Sequence, residues 1–149
     1  MIAGLEIATV VAAGLLAGSL LTEARVLVIY WQQMEVSEFS RLHPQLAPIL
    51  FRFFAPLTIL GTALPITTAL TAISVGRPAT PFWLFSAACA LALLAFYFMF
   101  FKAANKQFAQ NRDPAQTVLT LSRWKQMHNC RTTIALAGFI ASIWALKIH

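Results

Sequence analysis

Phe82-Trp-Leu-Phe-Ser-Ala-Ala-Cys-Ala-Leu-Ala-Leu-Leu-Ala-Phe-Tyr-Phe-Met-Phe-Phe101 runs for twenty residues without a charged side chain. As a helix it covers about 30 Å, the thickness of a bilayer's hydrocarbon core. Lipid offers no partner to a backbone N–H or C=O, so a segment of this kind must satisfy its own and be helical. Enrichment in aromatic residues therefore does not argue for a strand here.

Three further apolar runs lie outward from it. The first covers about 2–31, interrupted by Glu23 and Arg25. The second covers about 46–75, with Arg52 near its start and Pro56 and Pro65 inside. The last covers about 127–146, with Arg131 near its start. The quoted run, 82–101, is the third of the four. The whole 149-residue chain agrees: 59% is hydrophobic, only 11% is charged and the mean hydropathy is +0.72. A soluble domain carries about 25% charged residues. These figures exclude a disordered chain and an ordinary soluble domain. They predict one all-α domain, an integral membrane four-helix bundle. The first run lacks a basic leading segment, carries Glu6 early and is too long for a signal peptide, so it reads as a retained span.

The net charge of +6 reads as topology. With four spans, loops one and three share a side with Arg25, Arg41, Arg52, Lys102, Lys106, Arg112, Arg123, Lys125 and Arg131; only Arg77 and Lys147 fall on the other. Lys and Arg accumulate in cytoplasmic loops. Loops one and three are therefore expected in the cytoplasm and both termini outside, in the plasma membrane. The basic residues form span edges and no extended patch, so nucleic acid is not an expected partner; membrane lipid is. Residues 32–47 and 102–123 read as polar connections, with Asn111-Arg-Asp113-Pro114 as a turn that opens the last helix, and 76–81 reads as a tight turn.

Gly14 and Gly18 form a GxxxG pair that permits close helix approach, within the chain first and in a homo-oligomer as the alternative. Pro56 and Pro65 are expected to bend the second span. Cys89 and Cys130 fall at different depths, too far apart to bridge. No CxxC or CxxxH spacing suggests zinc.

Ionisable groups inside spans face the bundle interior. Glu23, Arg52, Asn105, His128 and Arg131 all lie toward the predicted cytoplasmic end. Trp124, His128 and Arg131 are spaced i, i+4, i+7, which places them on one helix face, with Asn129 and Thr132 pointing elsewhere. His43 is positioned to cap the cluster. The bland readings are snorkelling for Arg52 and Arg131, an ion pair for Glu23 with Arg25 or Arg131, and an aromatic belt for Trp31, Trp83, Trp124 and Trp144.

Three segments carry a resemblance: Ala12-Ala-Gly-Leu-Leu-Ala-Gly-Ser-Leu-Leu-Thr-Glu23; Phe39-Ser-Arg-Leu-His43-Pro leading into Phe51-Arg-Phe-Phe-Ala-Pro56-Leu; and Asn105 followed by Trp124-Lys-Gln-Met-His128-Asn-Cys-Arg131-Thr132. The W-x3-H-x2-R pattern is the most specific. Together they resemble a family of small four-helix membrane proteins that includes the anthrone oxygenases of polyketide pathways. The resemblance implies an integral membrane four-helix fold. For part of the family it implies conversion of an anthrone to an anthraquinone by O2, without metal or flavin. The long hydrophilic insertions of some relatives are absent here.

Such a reaction needs a base for the acidic CH2 between the rings, a cation or donor for the enolate oxygen, and an apolar slot for flat rings. His128 or Glu23 are candidates for the base. Arg131 with Asn105 would hold the oxyanion, and Trp124, Phe100 or Phe101 would line the slot, with Arg52 and His43 beside it. Two readings compete. A haem or quinone protein would use His43 and His128, on one predicted side, as axial ligands. A non-enzymatic scaffold or accessory subunit would use the polar cluster for packing and register. Transport is disfavoured, because no inverted repeat is evident.

Overall fold

The computed structural model describes residues 2–110 and 113–148. Four helices, each long and apolar enough to cross a membrane, account for nearly all of them: α1 (Ile2–Gln33), α2 (Val36–Ser74), α3 (Thr80–Gln110) and α4 (Pro114–Lys147). They pack as an antiparallel bundle in the cyclic order α1, α2, α3, α4, each principally against its two neighbours.

The expected connections are far shorter than the sequence reading has them. Residues 36–47 are the first turns of α2; 102–110 complete α3; 114–123 begin α4. The reason is a four-residue apolar spacing in segments that look polar on average. Phe39 with His43, Ala104 with Phe108, and Thr117 with Leu121 each stack a buried pair on one face. Each helix is therefore longer than a hydrocarbon layer of about 30 Å is thick; α2, with 39 residues, is about 58 Å long. Their projecting ends enclose an aromatic core of Trp31, Phe39, Phe101, Phe108 and Trp124. Arg25, Arg41, Lys102, Lys106 and Arg123 lie exposed around this basic end. Of the four tryptophans only Trp144 is exposed; Trp31, Trp83 and Trp124 are inside the bundle, so they form no aromatic belt.

Turn chemistry fixes the remaining boundaries. Gly76, at φ +65°, closes α2 in the left-handed region. Arg77 N–H then bonds back to the Ala72 carbonyl at 3.0 Å and Gly76 N–H to that of Ile73 at 3.2 Å, the paired bonds of a Schellman motif. Arg77 also reaches the buried carboxylate of Glu6 at 3.7 Å, tying the turn to the start of α1. Asp113 caps α4 by accepting from the Ala115 N–H at 3.0 Å, and Pro114 follows at the first helical position; Asn111 and Arg112 of the turn read from the sequence lie outside the described residues. α2 continues through Pro44, Pro48, Pro56 and Pro65.

Small residues set the helix separations. A Cβ on Gly14 would lie 2.8 Å from the ring of Phe139, so the first glycine of the GxxxG pair serves α1–α4 packing; around Gly18 nothing lies within 4 Å. Gly138 brings α4 onto α3, where an added Cβ would meet the Cβ of Cys89 at 2.8 Å. Gly138→Leu is expected to destabilise the bundle by about 1–3 kcal/mol through overpacking, read as a lower thermal unfolding midpoint in detergent. Cys89 is buried and Cys130 exposed, both as free thiols.

Candidate functional site

Near the basic end the four helices diverge around a cavity of about 310 Å³. That is at the lower end of the range of about 300–1,000 Å³ occupied by small-molecule sites. Two segments of π-helix flank it. In α1 the turn Glu23–Leu27 closes with Val28 N–H on the Glu23 carbonyl, and in α3 the turn Tyr97–Phe101 closes with Lys102 N–H on the Tyr97 carbonyl. Each admits one extra residue and rotates the helix beyond it by about 100° relative to the helix before. Such bulges concentrate at functional sites. Here they bring Glu23 from α1 and Tyr97, Phe98 and Phe101 from α3 to the cavity wall.

The polar end of the cavity is built from α1 and α4. Arg131 Nη2 donates to Glu23 Oε2 at 3.3 Å and to His128 Nδ1 at 2.9 Å. An arginine only donates, so Nδ1 is the acceptor and the ring proton sits on Nε2. Nε2–H then donates to the Leu20 carbonyl at 3.1 Å and lies 3.8 Å from Glu23 Oε2. His128 is fully buried and stacks on Trp124 at 4.8 Å between ring centroids, 7° from parallel. With both nitrogens engaged, it has none left for a haem iron. Trp124 Nε1 donates in turn to Asn105 Oδ1 at 3.3 Å, which leaves the Asn105 NH2 as a donor beside the cavity. The Arg131 guanidinium carbon lies 4.1 Å from the centre of the Phe101 ring, a cation–π contact.

The sequence-predicted residues thus largely converge. Glu23, His43, Phe101, Asn105, Trp124 and Arg131 line the cavity. His128 stands behind Arg131 and Trp124 without lining it. Arg52 is exposed and outside the lining. Phe100 is half-buried and packs against the aromatic core. Thr132 differs from expectation: it is buried on the same α4 face and bonds to the His128 carbonyl at 2.8 Å. Trp31, read from the sequence as interfacial, lines the cavity, as do Tyr97 and Phe98 from the π-turn. Nothing in the spacing of Trp31 separated a cavity residue from a belt residue. Nothing in the sequence marks the π-turns.

Three lining residues carry a buried polar atom with no partner: Trp31 Nε1, His43 Nδ1 and Arg131 Nε. An unsatisfied buried donor costs about 1–3 kcal/mol. Two of the three, Trp31 Nε1 and Arg131 Nε, are obligate donors. Among the described residues no group of three or more His, Cys, Asp or Glu side chains is arranged to hold a metal ion. A second groove of about 510 Å³, between α1 and α2, reaches Glu23 from the other side of Leu50 and Phe54. Comparison of the chain with protein-family models, curated proteins and solved structures returned no match.

Proposed function

We propose that this protein is a membrane oxidoreductase that binds a flat, oxygen-bearing aromatic molecule in the cavity and promotes its direct oxidation by O2, as the resemblance to anthrone oxygenases implies. The observation that carries the reading is the contact between a carboxylate, Glu23, and a guanidinium, Arg131, on the wall of a mainly apolar cavity. A base for the ring CH2 and a cation for the oxygen that receives its charge through the conjugated ring are what this proton removal requires. The basic end faces the cytoplasm of the plasma membrane in this reading, by the positive-inside rule.

Glu23 is the base. It lines the cavity, whereas His128 has both nitrogens engaged and does not. Glu23 takes a proton from the ring CH2, and the electron pair left on carbon delocalises onto the carbonyl oxygen, which Arg131 and the Asn105 NH2 stabilise. The carbanion carbon then bonds to O2, giving a peroxide that takes up a proton. Loss of the second C–H proton, cleavage of the O–O bond and departure of hydroxide as water leave the new carbonyl. One anthrone and one O2 give one anthraquinone and one water, and the carbon supplies all the electrons.

His128 is a positioning residue. His128→Phe keeps a ring against Trp124 but removes the acceptor for Arg131. It is expected to lower kcat about 10²-fold with little change in KM, measured by anthraquinone absorbance. The reading itself is tested by oxygen uptake of the purified protein with anthrone, where a protein-dependent ratio of one O2 per anthraquinone is expected. Uptake no faster than in protein-free detergent would leave the polar cluster with a structural role. A Soret band in the purified protein would favour the haem reading.

A further inference from the structure

The cavity has two unlike boundaries. Toward the basic end it is closed by Trp31, His43, Phe101 and Trp124, none more than 3% exposed. Behind them Phe39 and Phe108 stack edge to face at 5.1 Å, and Phe39 lies against Trp31 at 5.8 Å. An approach from water on this side has to displace a packed set of rings. Between α2 and α3 the boundary is different. Phe51, Ile59 and Phe98 line the cavity yet are 61%, 66% and 59% exposed, on the outer surface of membrane-spanning helices. Ala47, Ala55 and Thr58 lie on the same α2 face, and these small residues leave a slot that the larger ones frame.

We propose that the cavity is filled from the bilayer, through the slot between α2 and α3, by a flat ring system that carries an oxygen facing Arg131 and Asn105 and an aliphatic chain on an outer ring. The proposal rests on the reading of the cavity as a ring-binding site and adds the route and the chain. With the oxygen on Arg131 and the CH2 toward Glu23, an outer ring extends to the slot lined by Phe51, Ala55 and Phe98. A chain attached there continues into lipid, which is as apolar as the chain, so nothing is lost on binding. The same chain keeps the free molecule in the membrane, where the slot opens. The class is that of a membrane-dissolved phenol, quinol or anthrone with a tail.

The test uses the full chain in phosphatidylcholine nanodiscs without oxygen, with anthrone and 2-decylanthrone as probes and quenching of tryptophan fluorescence as readout, since Trp31 and Trp124 line the cavity. Affinities are compared per mole fraction of probe in the membrane. The two probes are expected to bind within about threefold of each other. Ala55→Phe, which narrows the slot, is expected to weaken 2-decylanthrone at least about tenfold more than anthrone. Thr58→Phe repeats the comparison if the first variant does not fold. Binding of anthrone with exclusion of 2-decylanthrone from the wild type would overturn the slot and leave the proposed oxidation standing. Equal effects of both variants on both probes would do the same. Failure of both probes to bind the wild type would overturn both readings.

Discussion

Glu23→Gln is expected to lower anthrone turnover by about 10²- to 10⁴-fold, the usual contribution of a positioned base. Glutamine has nearly the same shape, and its amide oxygen can still accept from Arg131 Nη2, which lies 3.3 Å from the Glu23 carboxylate. What it cannot do is hold the proton taken from the ring. The substitution also leaves the Arg131 cation beside a neutral partner, so some loss of thermal stability accompanies it. The two effects separate in the readout. A purely structural carboxylate would lower the amount of folded protein and leave turnover per folded molecule unchanged. Normalising the rate to the monodisperse fraction therefore decides between the enzyme and the scaffold.

Arg131→Met is expected to have the second large effect, and in both properties. Removing a donor to a developing oxyanion lowers kcat by about 10²–10³-fold. It also strands Glu23, which is only 8% exposed, and breaking one side of a buried pair destabilises by about 3–5 kcal/mol. Lysine is not an equivalent replacement: its compact ammonium lacks the planar guanidinium that stacks over the Phe101 ring at 4.1 Å. The double variant Glu23→Gln/Arg131→Met no longer buries an unpaired charge. It should regain much of the lost stability and none of the lost turnover, a non-additivity that marks two groups acting as a unit.

How much of this was legible in advance differs from element to element. The uncharged run from Phe82 to Phe101 was sufficient to identify a membrane-type helix, because lipid leaves a backbone no other choice. The i, i+4, i+7 spacing of Trp124, His128 and Arg131 placed them together, and in the structure they touch through stacking and a hydrogen bond. Averaged hydropathy missed the helical character of 36–47 and 102–110, where a few residues at four-residue spacing outweigh many polar ones. The π-turns at Glu23–Leu27 and Tyr97–Phe101 have no composition of their own, so the register change that places Tyr97 and Phe98 could not be read. Trp31 fits a belt and a core equally well by position, and only tertiary packing puts it inside. His128 could be named, but whether its nitrogens were free depended on the Leu20 carbonyl, a backbone atom 108 residues away in the chain.

The central claim is that Glu23, with Arg131 beside it, removes a proton from a ring held in the cavity. Exchange of the CH2 protons of anthrone in deuterated buffer under argon tests it most directly, because the step precedes any encounter with O2. The account predicts that wild-type protein in nanodiscs accelerates exchange well above the protein-free rate, that Glu23→Gln abolishes the acceleration, and that His128→Phe retains part of it. Exchange at the protein-free rate in the wild type, or undiminished acceleration in Glu23→Gln, would contradict it.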